Sequence, residues 1–166
     1  MGDLIIRNAA EEDLPALEWG GEYSHFRNLF RNLYLSSLKG ETKLWVAEMP
    51  EIGLIGQIFV QFISSRSDIA DGRLRAYLFS FRVKKAYRNL GVGAKILNFI
   101  EDDLQRQGFQ WTVLNVDKEN YYARHFYEKH GYKVVGSEPG TWSYVDQFGR
   151  NHDVHEPAWR MEKRLN

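Results

Sequence analysis

Between Leu78 and Val135 the chain reads as strand, basic glycine turn, helix, strand, helix and strand: LFSFRV, KKAYRNLGVG, AKILNFIEDDLQRQG, FQWTVLNV, NYYARHFYEKHG and YKVV. A strand followed at once by a helix and another strand makes a crossover, so its two strands should lie parallel with a right-handed connection. At the centre of the run stands Arg88-Asn89-Leu90-Gly91-Val92-Gly93. A helix start carries unsatisfied N–H groups and roughly half a positive charge from its dipole, and it therefore attracts anions. Gly91 and Gly93 let the backbone come close to a ligand, while Lys84, Lys85 and Arg88 add cationic side chains. The turn predicts a bound phosphate. A Walker loop would need a Gly-Lys-Ser/Thr ending where Gly93-Ala94-Lys95 stands, and a dinucleotide fingerprint would need glycine in place of Ile96, so neither ATP nor NAD is favoured.

Upstream, Leu4 to Arg7 suits a first strand, and Asn8 followed by Glu11, Glu12 and Asp13 suits a helix start, with Gly20-Gly21 as its end. Ser24 can cap a second helix in which Phe26, Leu29, Phe30, Leu33, Tyr34 and Leu38 recur at helical spacing until Gly40. Leu44 to Glu48 and Leu54 to Ile63 read as a hairpin around Met49 to Gly53. Ser64 to Gly72 reads as a loop before a long strand from Arg73 to Val83. After the glycine turn, Val92, Ile96, Leu97, Ile100 and Leu104 form one helical stripe ending at Gln107-Gly108, and Trp111 to Val116 is an apolar strand. Asn120 opens a short helix that Gly131 closes, and Tyr132 to Val135 and Ala158 to Lys163 are the last strands. Ser137 to Pro157 reads as a candidate substrate loop. Its His152, Asp153, His155 and Glu156 have metal-ligating side chains but no helix to fix their spacing, so a solvated loop is expected and no metal.

At 166 residues the chain suits one domain, 1–166, large enough to bury a core. Its 22 basic residues cancel its 22 acidic ones, which leaves no global field to draw it to nucleic acid or a membrane. The absence of cysteine excludes disulfides, thiolate metal ligands and a cysteine acyl-enzyme. Met1-Gly2 begins like a myristoylation signal, but Ile6 stands where that motif wants Ser or Thr, and no run has signal or membrane-spanning length. A cytoplasmic protein is expected.

With its two motifs in place, Arg88 to Gly93 and then Asn120, Ala123, Phe126, Tyr127, Gly131 and Tyr132, the run resembles the acyl-CoA-binding core of the GNAT superfamily of N-acyltransferases. The resemblance implies an α+β (mixed α/β) fold: a twisted, mostly antiparallel sheet of about seven strands flanked by about four helices, with a parallel pair at the cofactor site. It implies acetyl-CoA as acyl donor and an amine of a small molecule or peptide as acceptor, and it allows a homodimer. Arg88, Asn89, Leu90, Gly91, Val92, Gly93 and Ala94 would hold the pyrophosphate, mostly through backbone N–H groups. The main chain of Phe81, Arg82 and Val83 would line the pantetheine arm, with the Phe81 N–H polarising the thioester carbonyl. Asn120 would touch the same arm, and Tyr127 would protonate the departing thiolate.

Many relatives carry a glutamate where this chain has Tyr77, and a phenol is a poor base near neutrality. Glu22, Asp68, Asp71, Asp153 and His25 are the other residues through which an amine proton could leave. Without a cysteine nucleophile, direct attack of the amine in a ternary complex is expected. Two other readings stand beside it: a catalytically silent acyl-CoA-binding regulatory module, and a transferase acting on protein N-termini or lysines, which would need an open groove.

Overall fold

The computed structural model describes residues 3–166, so the myristoylation-like start at Met1-Gly2 lies outside it. Seven strands form one sheet: β1 (Ile5–Asn8), β2 (Thr42–Met49), β3 (Gly53–Gln61), β4 (Arg75–Val83), β5 (Trp111–Asp117), β6 (Lys133–Glu138) and β9 (Ala158–Arg164). Their order is β1-β2-β3-β4-β5-β9-β6, and β4 with β5 is the one parallel pair among the described residues. Helix α1 (Arg27–Leu38) precedes β2, α2 (Val92–Arg106) is the crossover between β4 and β5, and α3 (Tyr121–Lys129) joins β5 to β6. This is the mixed, mostly antiparallel α+β architecture expected of the sequence.

Strand alternation sends neighbouring side chains to opposite faces of the sheet, and the structure has two cores accordingly. Trp45, Ala47, Ile58, Val60, Ala76 and Leu78 face the stripe of α2, Val92, Ile96, Leu97, Ile100 and Leu104. Leu44, Val46 and Phe59 face the other way, onto Leu14, Leu17 and Phe30 of the N-terminal helical layer. The sheet is thus sandwiched, with α2 on one face and α1 on the other.

Three segments before the glycine turn differ from the sequence reading. Asn8 is the last residue of β1 and not a helix cap; the first helical segment, Glu11–Gly21, is a 3₁₀ helix. Pro15 removes a donor inside it, Asp13 reaches back to the Ala10 N–H at 2.7 Å, and Trp19 and Gly20 take left-handed φ values of 50° and 70°. The Ser24 hydroxyl donates to Glu18 at 2.8 Å instead of capping, and α1 proper starts three residues later. The long strand before the turn begins at Arg75 because the Asp71 carboxylate accepts the N–H groups of Arg73, Leu74 and Arg75 at 2.8–3.0 Å.

The segment Ser137 to Pro157 is no plain loop. It extends β6 and then forms a separate two-stranded hairpin, β7 (Thr141–Val145) and β8 (Asn151–His155). Asp146 ties its turn by accepting the N–H groups of Phe148 and Arg150, both at 2.9 Å. The hairpin leans on the start of α1: Phe26 meets Tyr144 at 5.0 Å and Trp142 at 5.9 Å between ring centroids, and Asn28 donates to the Asp146 carbonyl at 2.8 Å.

Candidate active site

β4 pairs with β5 from Arg75↔Trp111 to Leu78↔Leu114 and no further. Beyond Leu78 the two strands part, leaving the edge of β4 from Phe79 to Val83 without a partner on that side. On its other side β4 carries a bulge: Gln57 pairs with Arg82 and Phe59 with Phe79, so Ser80 and Phe81 together oppose one residue of β3. Ser80 has φ 50°, and the Gln57 side chain donates to its carbonyl at 3.3 Å. Beside the bulge, opposite Val83, Gly56 is closely packed: a Cβ there would stand 3.0 Å from Ile96 Cδ1 and 3.1 Å from the Arg82 carbonyl oxygen.

The glycine turn lies at the mouth of this gap. Asn89 and Gly91 both adopt left-handed φ, 63° and 81°, and Gly91 is the N-cap of α2. The Lys95 N–H bonds the Gly91 carbonyl at 3.1 Å, so the N–H groups of Val92, Gly93 and Ala94 start the helix with no i−4 partner. Arg88 Nε donates to the Val83 carbonyl at 2.8 Å, and the Tyr122 hydroxyl donates to Asn89 Oδ1 at 2.6 Å, pinning the turn to β4 and α3.

A cavity of about 560 Å³ opens here. Of the residues singled out in the sequence, it brings together Phe81, Arg82, Val83, Arg88, Asn89, Gly91, Gly93, Ala94, Asn120 and Tyr127. Leu90 and Val92 do not line it: the Leu90 side chain is exposed, and that of Val92 is buried in the core. Asn120 also caps α3, accepting the Ala123 N–H at 3.0 Å. Tyr122, which closes the cavity through Asn89, carries no signal in the sequence. Phe81 and Tyr127 sit 6.4 Å apart between ring centroids.

Burial raises the Tyr127 phenol well above its ordinary value, with the Tyr77 phenol as a smaller cause, so Tyr127 stays protonated across the neutral range. Tyr77 is pushed up to about 12, mainly by burial and then by the Glu138 charge. A phenol held there is no base at neutral pH. Two of the acids offered by the sequence are engaged elsewhere, while Glu22 is exposed and forms no ion pair among the described residues. Asp68 is drawn down to about 2 by Arg66 and Arg160, and Asp71 holds the start of β4. His25 packs on Phe26 at 4.1 Å, and Asp153 lies exposed on β8.

A second cavity, of about 600 Å³, opens beside the β4–β5 gap, under the hairpin and the start of α1. Its lining includes Phe26, Tyr77, Phe79, Asn115, Glu138 and Trp142, none of which carries a motif. Glu138 is held low by Arg66, at 2.8 Å, with a further contribution from Arg160. Among the described residues, Arg82 alone lines both cavities.

The model of the acetyltransferase (GNAT) family matches residues 8–132. N-alpha-acetyltransferase 50 of Danio rerio is 26% identical over 104 residues, covering 62% of this chain and 62% of that protein. This chain spans about half to six tenths of the length of the curated relatives it matches. Among solved structures, the ribosomal-protein-S18-alanine N-acetyltransferase from Escherichia coli superposes with a TM-score of 0.72 at 18% identity, over 99% of this chain and 95% of that one. A spermidine N-acetyltransferase chimera, from Vibrio cholerae SpeG and hSSAT, gives 0.73 at 18% identity, over 98% and 95%. At such identities the likeness is one of fold.

Proposed function

Since the chain belongs to the acetyltransferase (GNAT) family, we propose that it transfers the acetyl group of acetyl-CoA to a primary amine of a small molecule or peptide within a ternary complex. The observation that carries this reading is the start of α2. Of its three N–H groups without an i−4 partner, those of Gly93 and Ala94 belong to residues that line the cavity with Tyr127, behind the left-handed turn residues Asn89 and Gly91. That arrangement suits a pyrophosphate, and the unpaired edge of β4 suits an extended amide-bearing arm.

Acetyl-CoA, when bound, supplies the acetyl group as an activated thioester. The N–H groups of Val92, Gly93 and Ala94 hold the pyrophosphate, with Arg88, Asn89 and Gly91 shaping the turn. Leu90 takes part through its main chain, and Asn120 keeps its Nδ2 for the arm. Arg82 and Val83 continue the open strand edge. The Phe81 N–H, freed by the bulge, donates to the carbonyl oxygen as charge develops there. As the amine nitrogen bonds to the acyl carbon, the carbon–sulfur bond breaks, and Tyr127 gives its proton to the sulfur. The amine attacks as the free base, its ammonium proton having gone to water beforehand; the proton that leaves its nitrogen as the amide forms restores the phenol, because burial disfavours tyrosinate.

Tyr77 in place of an acid favours one other reading, a binding module without turnover. Thiol release from acetyl-CoA across amines, polyamines and peptides decides between them. The transfer reading predicts acceptor-dependent release; acetyl-CoA binding with no release for any amine contradicts it.

A further inference from the structure

Arg82 and Phe81 leave β4 in opposite directions. The Phe81 ring goes to α3, where it meets Phe126 at 6.1 Å, and to α2, where it lies 3.8 Å from the Cβ position of Gly93. The Arg82 guanidinium goes to the other face. It lies 4.2 Å from the Tyr23 ring centroid and 5.7 Å from that of Phe26, in the wall of the second cavity. Its Nη1 is buried without a hydrogen-bond partner among the described residues, and no acid forms an ion pair with it there. Desolvation lowers its pKa, opposed by Tyr23 and by Glu22, which stands near enough to act but not to bond.

A guanidinium stacked on an aromatic ring, desolvated and lacking an acid, has the form of an anion receptor whose anion arrives with a ligand. The turn at α2 lies on the face of the sheet away from it, so the donor's pyrophosphate has its own site. The other charged groups of the cavity are Arg66, Glu138, Asp117 and Glu156. Arg66 and Glu138 neutralise one another, and Asp117 and Glu156 form no ion pair among the described residues. Among the described residues the lining therefore offers one unpaired cation next to the reaction centre and unpaired acids elsewhere, which suits an acceptor carrying both charges better than a polyamine. Phe26, Phe79 and Trp142 add an apolar wall.

Resting on the transfer reading above, we propose that the acceptor bears a carboxylate close to its reactive amine and that Arg82 is the residue that binds it. Two sources share that chemistry: the α-carboxylate of a free amino acid, and the side chain of an acidic first residue in a peptide.

Matched acceptors test this: free amino acids against their amides, and peptide amides beginning with Asp or Glu against those beginning with Asn or Gln. At least one carboxylate arm is expected to exceed its neutral partner in kcat/KM by on the order of 10- to 100-fold, through KM. In Arg82→Gln and Arg82→Lys that ratio should fall toward one for Gln and in part for Lys, however much the absolute rates change. Calorimetric titration of the preferred acceptor should show the same loss of affinity. Equal rates for carboxylate and neutral partners in both arms overturn the proposal while leaving transfer intact. A loss in the variants that is the same for both partners, or that appears only in the KM for acetyl-CoA, also overturns it, because it marks Arg82 as structural or donor-binding. If no amine releases thiol, the transfer reading fails and this proposal fails with it.

Discussion

At the scale of the residue, two tyrosines, Tyr127 half-buried and Tyr132 buried, do different work. Tyr127 lies in the donor cavity with its phenol raised by burial, so removing its hydroxyl takes away a proton donor without opening a void. Tyr127→Phe should lower kcat by on the order of 100-fold while leaving the KM for acetyl-CoA within a few-fold. Steady-state rates with a saturating acceptor check this. Tyr132 is structural: its hydroxyl donates to Glu101 at 2.8 Å and meets Thr112 at 2.9 Å, and Lys163 holds the other oxygen of Glu101 at 2.8 Å. Tyr132→Phe leaves a buried carboxylate short of a donor and should cost about 1–3 kcal/mol in a denaturant titration, with kcat little changed. Both tyrosines stand out in the sequence through the spacing from Asn120 to Tyr132. The charge of Arg82 is visible there too, but not its isolation, which depends on Tyr23 and Phe26 arriving from the far side of the sheet.

At the scale of the element, the bulge in β4 and the root of the hairpin position the site. Gly56 stands beside the bulge, opposite Val83, so the methyl of Gly56→Ala would press on the Arg82 carbonyl and Ile96 and should reduce activity more than stability, as rates and a thermal melt would show. Gly140 is stricter still. It has φ 66°, and a Cβ there would fall 1.7 Å from the Glu156 carbonyl oxygen, so β7 cannot keep its place. Gly140→Ala should cost about 2 kcal/mol or more and raise the KM for the acceptor, as a thermal melt and an acceptor titration would show. These elements explain why the sequence was legible in some places and not in others. The stripe of α2 and the strand after it follow local periodicity, and the turn at Gly91 follows local glycine chemistry. The bulge at Ser80, the parting of β4 from β5 and the β7–β8 hairpin depend on distant partners. Pro15 and the left-handed Trp19 turned an apparent helix start into a 3₁₀ segment, because one proline and a reversed φ override the pattern of acids.

At the scale of the whole molecule, a sheet covered on both faces keeps a gap at its middle, with one cavity leading from the α2 side and another from under the hairpin. Burial carries a pH dependence with it. Tyr77, Tyr127 and Tyr132 all have phenols raised by burial, so the folded state holds protons that the unfolded chain releases near pH 10. Their contribution to stability is complete below about pH 10 and is lost as pH rises through the folded values. A melt followed from pH 8 to 11 should therefore show falling stability, and three of the nine tyrosines should stay un-ionised in the folded protein at pH 10.5 by tyrosinate absorbance, an order-of-magnitude expectation from these shifts. On the acid side the sign reverses. Asp13 is held down by Arg7, Glu18 by Arg27 and Glu138 by Arg66, so their stabilisation is present above about pH 4 and fades as pH falls through the lowered values.

The central claim is that donor and acceptor meet at the parting of β4 and β5 and that the acetyl group passes directly between them. Initial rates of thiol release, with acetyl-CoA and an accepted amine each varied against the other, test it most directly. The account predicts lines that intersect in double-reciprocal form, and an intact protein mass that gains no acetyl group when the amine is left out. Parallel lines, together with an acetylated chain accumulating without amine, would contradict it.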